Sequence, residues 1–143
     1  MKKKTETSGL MRVTAALVEQ NGKILIARRK PGGLFGGRWE FPGGKVEPDE
    51  APERGLEREL AEEMGVQARA EELLCSFAYR GPDLAIELLV YKAFLMSDKL
   101  CLTDHDAVRW VDPAGLDESA FADPDRAVVR WIRARTQQEQ QEG

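Results

Sequence analysis

Histidine is almost missing from this chain: His105 is the single one among 143 residues. That excludes a metal centre built from several imidazoles and any relay between paired histidines. Cysteine is nearly as scarce. Cys75 and Cys101 stand apart from each other, with no CxxC and no Cys/His spacing. Small buried hydrophobes are therefore the favoured reading for both residues over disulfide or thiolate metal roles. No apolar run approaches the ~20 residues that a bilayer crossing needs. The basic opening MKKKTETSG leads into no signal-type apolar region, so it is read as a flexible tail on a cytoplasmic protein. A basic excess is missing too, with 21 Lys+Arg against 25 Asp+Glu and a net charge of −4. Duplex binders show a basic face that counters phosphate, so no stable nucleic-acid partner is expected, whereas a single nucleotide needs only a local basic spot.

What is present suits an ordinary globular domain, with 42% hydrophobic and 32% charged residues. Neither a repeat nor a linker divides the chain, so residues 1–143 are expected to form one domain with its core at about 10–136. It would act as a monomer or homodimer. Met11 to Val18, the turn Gln20-Asn21-Gly22 and Lys23 to Arg28 read as a β-hairpin. Gly32, Gly33, Gly36 and Gly37 suggest a mobile loop before Trp39-Glu40-Phe41 and a turn at Pro42-Gly43-Gly44. Pro48, Asp49 and Glu50 supply helix-start chemistry and Gly65 a stop, which predicts a helix over about 50–64. Gly55 inside it costs about 1 kcal/mol relative to alanine, from close packing or mere tolerance. Leu73 to Tyr79 and Ala85 to Leu95, joined around Gly81-Pro82-Asp83, read as strands, and Val108 to Val111 as another. Asp123 is a candidate N-cap with Pro124 in the first helical position, followed by Val128, Trp131, Ile132 and Arg135 at helical spacing and a frayed QQEQQEG. The sum is an α/β (α+β) fold, a central mixed sheet between helices in an α/β/α sandwich.

From Gly44 to Val66 the chain reads GKVEPDEAPERGLERELAEEMGV. Glu59, Glu62 and Glu63 stand at i, i+3 and i+4, one face of a helix, while Leu56, Leu60 and Met64 form an apolar stripe. Three carboxylates so placed can share a divalent cation, and hard oxygen ligands suit Mg²⁺ or Mn²⁺. Alone, three glutamates on a helix are ordinarily solvated surface. Their conjunction with Gly44, Glu50, Arg58, Leu60, Gly65 and Val66 at fixed offsets changes that reading. At every specified position the segment resembles the Nudix hydrolase box G-x5-E-x7-R-E-U-x-E-E-x-G-U, U being a bulky aliphatic residue. The preceding run WEFPGGKVE, Trp39 to Glu47, is similar to the MutT-type branch.

The resemblance implies metal-dependent hydrolysis of a nucleoside triphosphate to the monophosphate and pyrophosphate, as in clearing 8-oxo-dGTP from the nucleotide pool in the service of DNA repair. A CTP or modified-pyrimidine pyrophosphohydrolase, an ADP-ribose-type hydrolase and a non-catalytic nucleotide sensor are the alternatives. It implies that Arg58 orients Glu59, that the Gly43 carbonyl joins Glu59, Glu62 and Glu63 around the metal, and that Asp104 is a further metal-site acid. Glu59 is the favoured general base over Glu62 and Glu63, with Asp104 open as a substitute. Gly44, Glu50 and Gly65 are structural members of the box, Glu50 supporting the loop or a metal-bound water. Arg29 and Lys45 are expected at phosphate and Phe41 at substrate. Base recognition falls to Asp125, which as an ionised carboxylate only accepts hydrogen bonds and so suits guanine or cytosine; its bland alternative is a first-turn acid placed for the helix dipole. Phe35, Phe77 and Tyr79 could stack on a base, though packing is their commoner fate. His105 stays outside the catalytic set.

Overall fold

The strands β1 (Met11–Leu17), β2 (Glu19–Gln20), β3 (Lys23–Arg29), β4 (Trp39–Glu40), β5 (Gly43–Lys45), β6 (Ala68–Arg80), β7 (Ala85–Leu95) and β8 (His105–Val111) divide into two four-stranded sheets. This computed structural model describes residues 10–142, so the MKKKTETSG opening lies outside the described residues. In the first sheet the order is β5-β1-β7-β6, with β1 and β7 parallel and the outer pairs antiparallel, so this sheet is mixed. In the second, β8 lines one edge of β3 while β2 and then β4 share the other, all antiparallel.

The expected long hairpin does not form. Asn21 (φ 53) and Gly22 (φ 77) do turn the chain, but the arms they join are β2 and β3, and β1 leaves for the other sheet. The reason lies in the apolar runs. Thr14–Leu17 and Ile24–Ala27 are buried at every residue, as strands covered on both faces are, and such strands sit centrally in a sheet rather than as a half-solvated pair. Alternation then sorts them. Ala15, Leu17, Ile24 and Ile26 enter one core, and Ala16, Val18, Leu25 and Ala27 the other.

Helix α1 (Pro52–Met64) covers the second core with Leu56, Leu60 and Met64, all fully buried, each stabilising by about 2 kcal/mol through transfer from water. Helix α2 (Arg126–Glu142) covers the first with Val128, Val129 and Ile132. The α/β/α sandwich follows, with two sheets side by side where one was expected.

Several boundaries move. α1 starts at Pro52, after a loop in which Glu50 Oε1 accepts the Glu47 N–H at 2.9 Å. It ends at Gly65, φ 61, whose N–H reaches the Ala61 carbonyl. A Cβ on Gly55 would stand 2.9 Å from Glu50 Oε1, so close packing explains that glycine. Asp123 does not cap the last helix: Asp123–Asp125 is a 3-10 turn preceded by Ala122, and the Asp123 side chain faces Tyr79 and Arg126. QQEQQE is helical to Glu142, with the i, i+4 contacts Arg135–Glu139 and Gln138–Glu142. Pro42-Gly43-Gly44 is no turn, since Gly43 and Gly44 pair with Ala15 and Thr14. A Cβ on Gly43 would overlap the Thr14 carbonyl. Cys75 is half-buried and Cys101 exposed, both as free thiols, which corrects the buried reading for Cys101. No described helix is long and apolar enough to cross a membrane.

Candidate active site

Arg58 is the hub of the acidic helix. Its Nε and Nη2 donate to both oxygens of Glu50 at 2.7 and 3.0 Å, Nη2 also reaches the Lys45 carbonyl at 3.0 Å, and Nη1 meets Glu62 at 3.1 Å and Glu59 at 3.3 Å. Charge-assisted bonds of this kind hold Glu50 below the ordinary carboxylate range and push the guanidinium further up. The strongest partner is thus Glu50, which ties the loop to α1, and Glu59 is held by the longest bond.

Helical geometry divides the three box glutamates. Glu59 and Glu63 are only about 40° apart around the axis, whereas Glu62 is swung the other way by about 60°. Accordingly Glu59 and Glu63 line one pocket, while Glu62, its side chain 59% exposed, stays outside that lining. Gly44 lets Glu59 lie against β5, since a Cβ there would overlap the Glu59 carboxyl.

The pocket has a volume of about 360 Å³, within the range of small-ligand clefts. Gly43, Gly44, Lys45, Arg29, Phe41 and Asp125 also line it, as do Leu34 and Phe35 from the glycine-rich loop. Phe35 sits at φ 64, an uncommon conformation for an aromatic residue. Phe41 forms a wall rather than an open stacking platform, being 3% exposed and stacked on Phe121 at 5.2 Å. Phe77 and Tyr79 pack against the first core. Lys45 is exposed at the rim. Asp104 is exposed and not part of the lining, although its charge acts on Glu63.

Asp125 is buried and accepts the Phe41 N–H at 2.8 Å. Burial, then the charge of Glu40, push its carboxyl well above the ordinary value. The accept-only reading holds for the ionised form alone, and the raised value favours the protonated form, which can donate as well. Glu40 is the carboxylate that sequence reasoning passed over. It lines the pocket, meets Arg29 Nη1 with both oxygens at 3.3 Å and His105 Nε2 at 2.7 Å. Strand alternation was the available signal, because Trp39 and Phe41 share one side of the chain and leave Glu40 on the other.

A family profile described as the NUDIX domain matches residues 10–132. The chain belongs to the Nudix hydrolase family. A CTP pyrophosphohydrolase of Escherichia coli K12 is 38% identical over 104 residues, covering 73% of this chain and 77% of the relative. An 8-oxo-dGTP diphosphatase of Haemophilus influenzae is 37% identical over 113 residues, covering 78% and 83%. Among solved structures, a MutT NUDIX hydrolase from Burkholderia pseudomallei superposes with a TM-score of 0.73 at 28% identity, covering 84% of this chain and 95% of that one. The MutT protein of Methanosarcina mazei Go1 reaches 0.76 at 22% identity, with 89% and 95% covered, and speaks for the fold.

Nudix hydrolases in general use divalent cations, and the acidic end of this pocket can be tested for fit. Burial raises the Glu63 carboxyl from its ordinary value of 4.5 to about 9, with Glu59, Glu40 and Asp104 adding repulsion. Its Oε1 is buried without a partner. Glu63 and Glu59 thus stand where crowded negative charge calls for a proton or a cation, and the donors are hard oxygens. Charge and ligand chemistry fit. Among the described residues, no three such side chains stand ready in ligand geometry.

A pH dependence follows. Glu63 is an acid with a raised folded-state pKa, so its contribution to stability is intact below about 4.5 and fades as pH climbs toward about 9. In chelator, Tm should fall from about pH 6 to about pH 9 more in the parent than in Glu63→Gln. Mg²⁺ should raise the parent Tm more at the alkaline end, where it replaces the lost proton. Equal Tm-versus-pH slopes for both proteins would remove Glu63 from this account.

Proposed function

We propose that this Nudix hydrolase converts a nucleoside triphosphate and water to the monophosphate and pyrophosphate, with Mg²⁺ or Mn²⁺, and that 8-oxo-dGTP is its first substrate. One observation carries the reading: a single pocket joins the acidic face of α1, through Glu59 and Glu63, to the buried carboxyl of Asp125. Phosphate chemistry and base recognition then have separate ends. A divalent cation held by Glu59, Glu63, the Gly43 carbonyl and, from the flanks, Glu62 and Asp104 would neutralise phosphate charge and acidify the attacking water. Within that set, Glu59 would accept the proton of the attacking water. Arg58 keeps Glu59 in place, and Glu50 keeps Arg58 in place. Arg29, 40% exposed and bound to Glu40 only at 3.3 Å, together with Lys45 supplies positive charge for the phosphates.

At the other end, Asp125, whose carboxyl burial pushes toward the protonated, donating form, stands with Glu40 as a pair of acids that can offer a donor and an acceptor. A guanine edge, with a carbonyl beside an N–H, matches such a donor and acceptor pair, and so does a cytosine edge. The CTP pyrophosphohydrolase relative keeps the pyrimidine reading beside the 8-oxo-dGTP one. The test is pyrophosphate and phosphate release from 8-oxo-dGTP, dGTP, CTP, dCTP, 5-methyl-dCTP and ADP-ribose, with Mg²⁺ and with chelator. Metal-dependent pyrophosphate release, fastest from 8-oxo-dGTP, is the expected result. Faster release from CTP or 5-methyl-dCTP would replace the first substrate. Preferential cleavage of ADP-ribose, or binding without turnover, would overturn the triphosphatase reading.

A further inference from the structure

The two strands beside β3 bring a second residue to Glu40. His105, the first residue of β8, is 2% exposed, and its Nε2 lies 2.7 Å from Glu40 Oε2. Its other ring nitrogen, Nδ1, is buried without a partner. A bare lone pair suits such a position better than an N–H, so the geometry favours the tautomer in which Nε2 carries the proton and donates to Glu40.

Strand register explains how it gets there. From Ile24 opposite Val111 to Arg28 opposite Ala107 the β3–β8 pairing is regular, and then it shifts, so that Arg29 faces His105 instead of Asp106. A one-residue shift exchanges which side chain points to which face of a sheet, and bulges commonly re-aim a side chain next to a site. Here the bulge sends Asp106 outward to Arg28, at 2.8 Å, and turns His105 to the side of Arg29 and Glu40. The charge of Glu40 acts on both Glu63 and Asp125, so its placement bears on how the pocket presents its acids.

We propose that His105 is a specificity-determining positioning residue: through the β8 bulge its Nε2–H fixes Glu40 beside Asp125, so that the two acids present one defined pattern to the base. The inference rests on the reading of Glu40 and Asp125 as the base-recognising end. His105 itself is not among the residues that line the pocket.

Two substitutions separate reach from mere packing. His105→Gln can set an amide N–H near the place of Nε2, and His105→Asn only near that of Nδ1. The readout is the ratio of kcat/KM between the best and the second-best base of the triphosphate panel. His105→Asn should shrink that ratio about tenfold, mostly through KM, with the Mg²⁺ concentration for half-maximal rate unchanged; His105→Gln should restore it to within about threefold. If the two variants behave alike, or His105→Asn slows every triphosphate by one common factor, the positioning role is overturned. If Glu40→Gln and Asp125→Asn also leave the ratio untouched, the base-end reading itself has failed; if they change it and His105→Asn does not, only this inference falls. Because His105 is the sole histidine, imidazole ¹⁵N correlations of the untagged parent report it alone. A proton on Nε2 is expected, and one on Nδ1 overturns the proposal even where His105→Asn fails to fold.

Discussion

Glu59→Gln should lower turnover by about two orders of magnitude or more while leaving the fold intact. Glutamine keeps the shape of the side chain, and shape is constrained here, because the Glu59 carboxyl lies against the Gly44 backbone with no room for a Cβ between them. Substitution therefore removes a charge and a proton acceptor and little else. In chelator the variant should melt no lower than the parent, since one of the charges that repel Glu63 is gone. Loss of activity combined with retained or raised Tm is a signature that damage to folding cannot produce. Measured by pyrophosphate release at saturating Mg²⁺, a folded variant within about threefold of the parent would take Glu59 out of the mechanism.

The helix that carries Glu59 was legible because its information is local. Spacing alone puts Glu59 and Glu63 on one face and Leu56, Leu60 and Met64 on another, and Gly65 marks the stop. The division into two sheets was not legible in the same way. Ala15–Val18 and Ile24–Ala27 are apolar runs close in sequence, and nothing local says that Ala15–Leu17 pairs with Val90–Lys92 and Ile24–Ala27 with Val108–Val111. That choice depends on which partner strands bury both faces, a property of the assembled core. Glu40 was passed over for a related reason: alternation with Trp39 and Phe41 sets it apart, but it gains meaning only when His105 and Arg29 arrive from neighbouring strands. Cys101 lies between two leucines and reads as buried, yet the segment is held by its N–H on the Met64 carbonyl at 2.7 Å, with the thiol outside. Backbone capping of α1, with Leu100 and Leu102 packed against the second core, fixes that stretch and leaves the Cys101 side chain out.

Asp125→Ala should cost about three orders of magnitude in kcat/KM for the preferred triphosphate, most of it in KM, because a site built to hydrogen-bond its ligand is left with unpaired groups on both sides. One of those groups is the Phe41 N–H, which Asp125 accepts at 2.8 Å, so a stability loss of about 1–3 kcal/mol should accompany the kinetic one. Asp125→Asn separates the two effects. Its carbonyl can still accept from Phe41 while its amide donates permanently, whereas the parent carboxyl donates only when protonated. Asp125 is an acid whose folded-state pKa is raised, so the donating form prevails at low pH and gives way to the accepting form as pH rises through that value. If the base presents an acceptor to Asp125, parent kcat/KM should fall with rising pH and Asp125→Asn should stay active on the alkaline side. If the base presents an N–H, the parent should improve with pH and the variant should be poor throughout. The two pH profiles, recorded on the best substrate of the panel, thus decide which edge of the base is read, and profiles that coincide, with Asp125→Ala within about threefold of both, would remove Asp125 from recognition altogether.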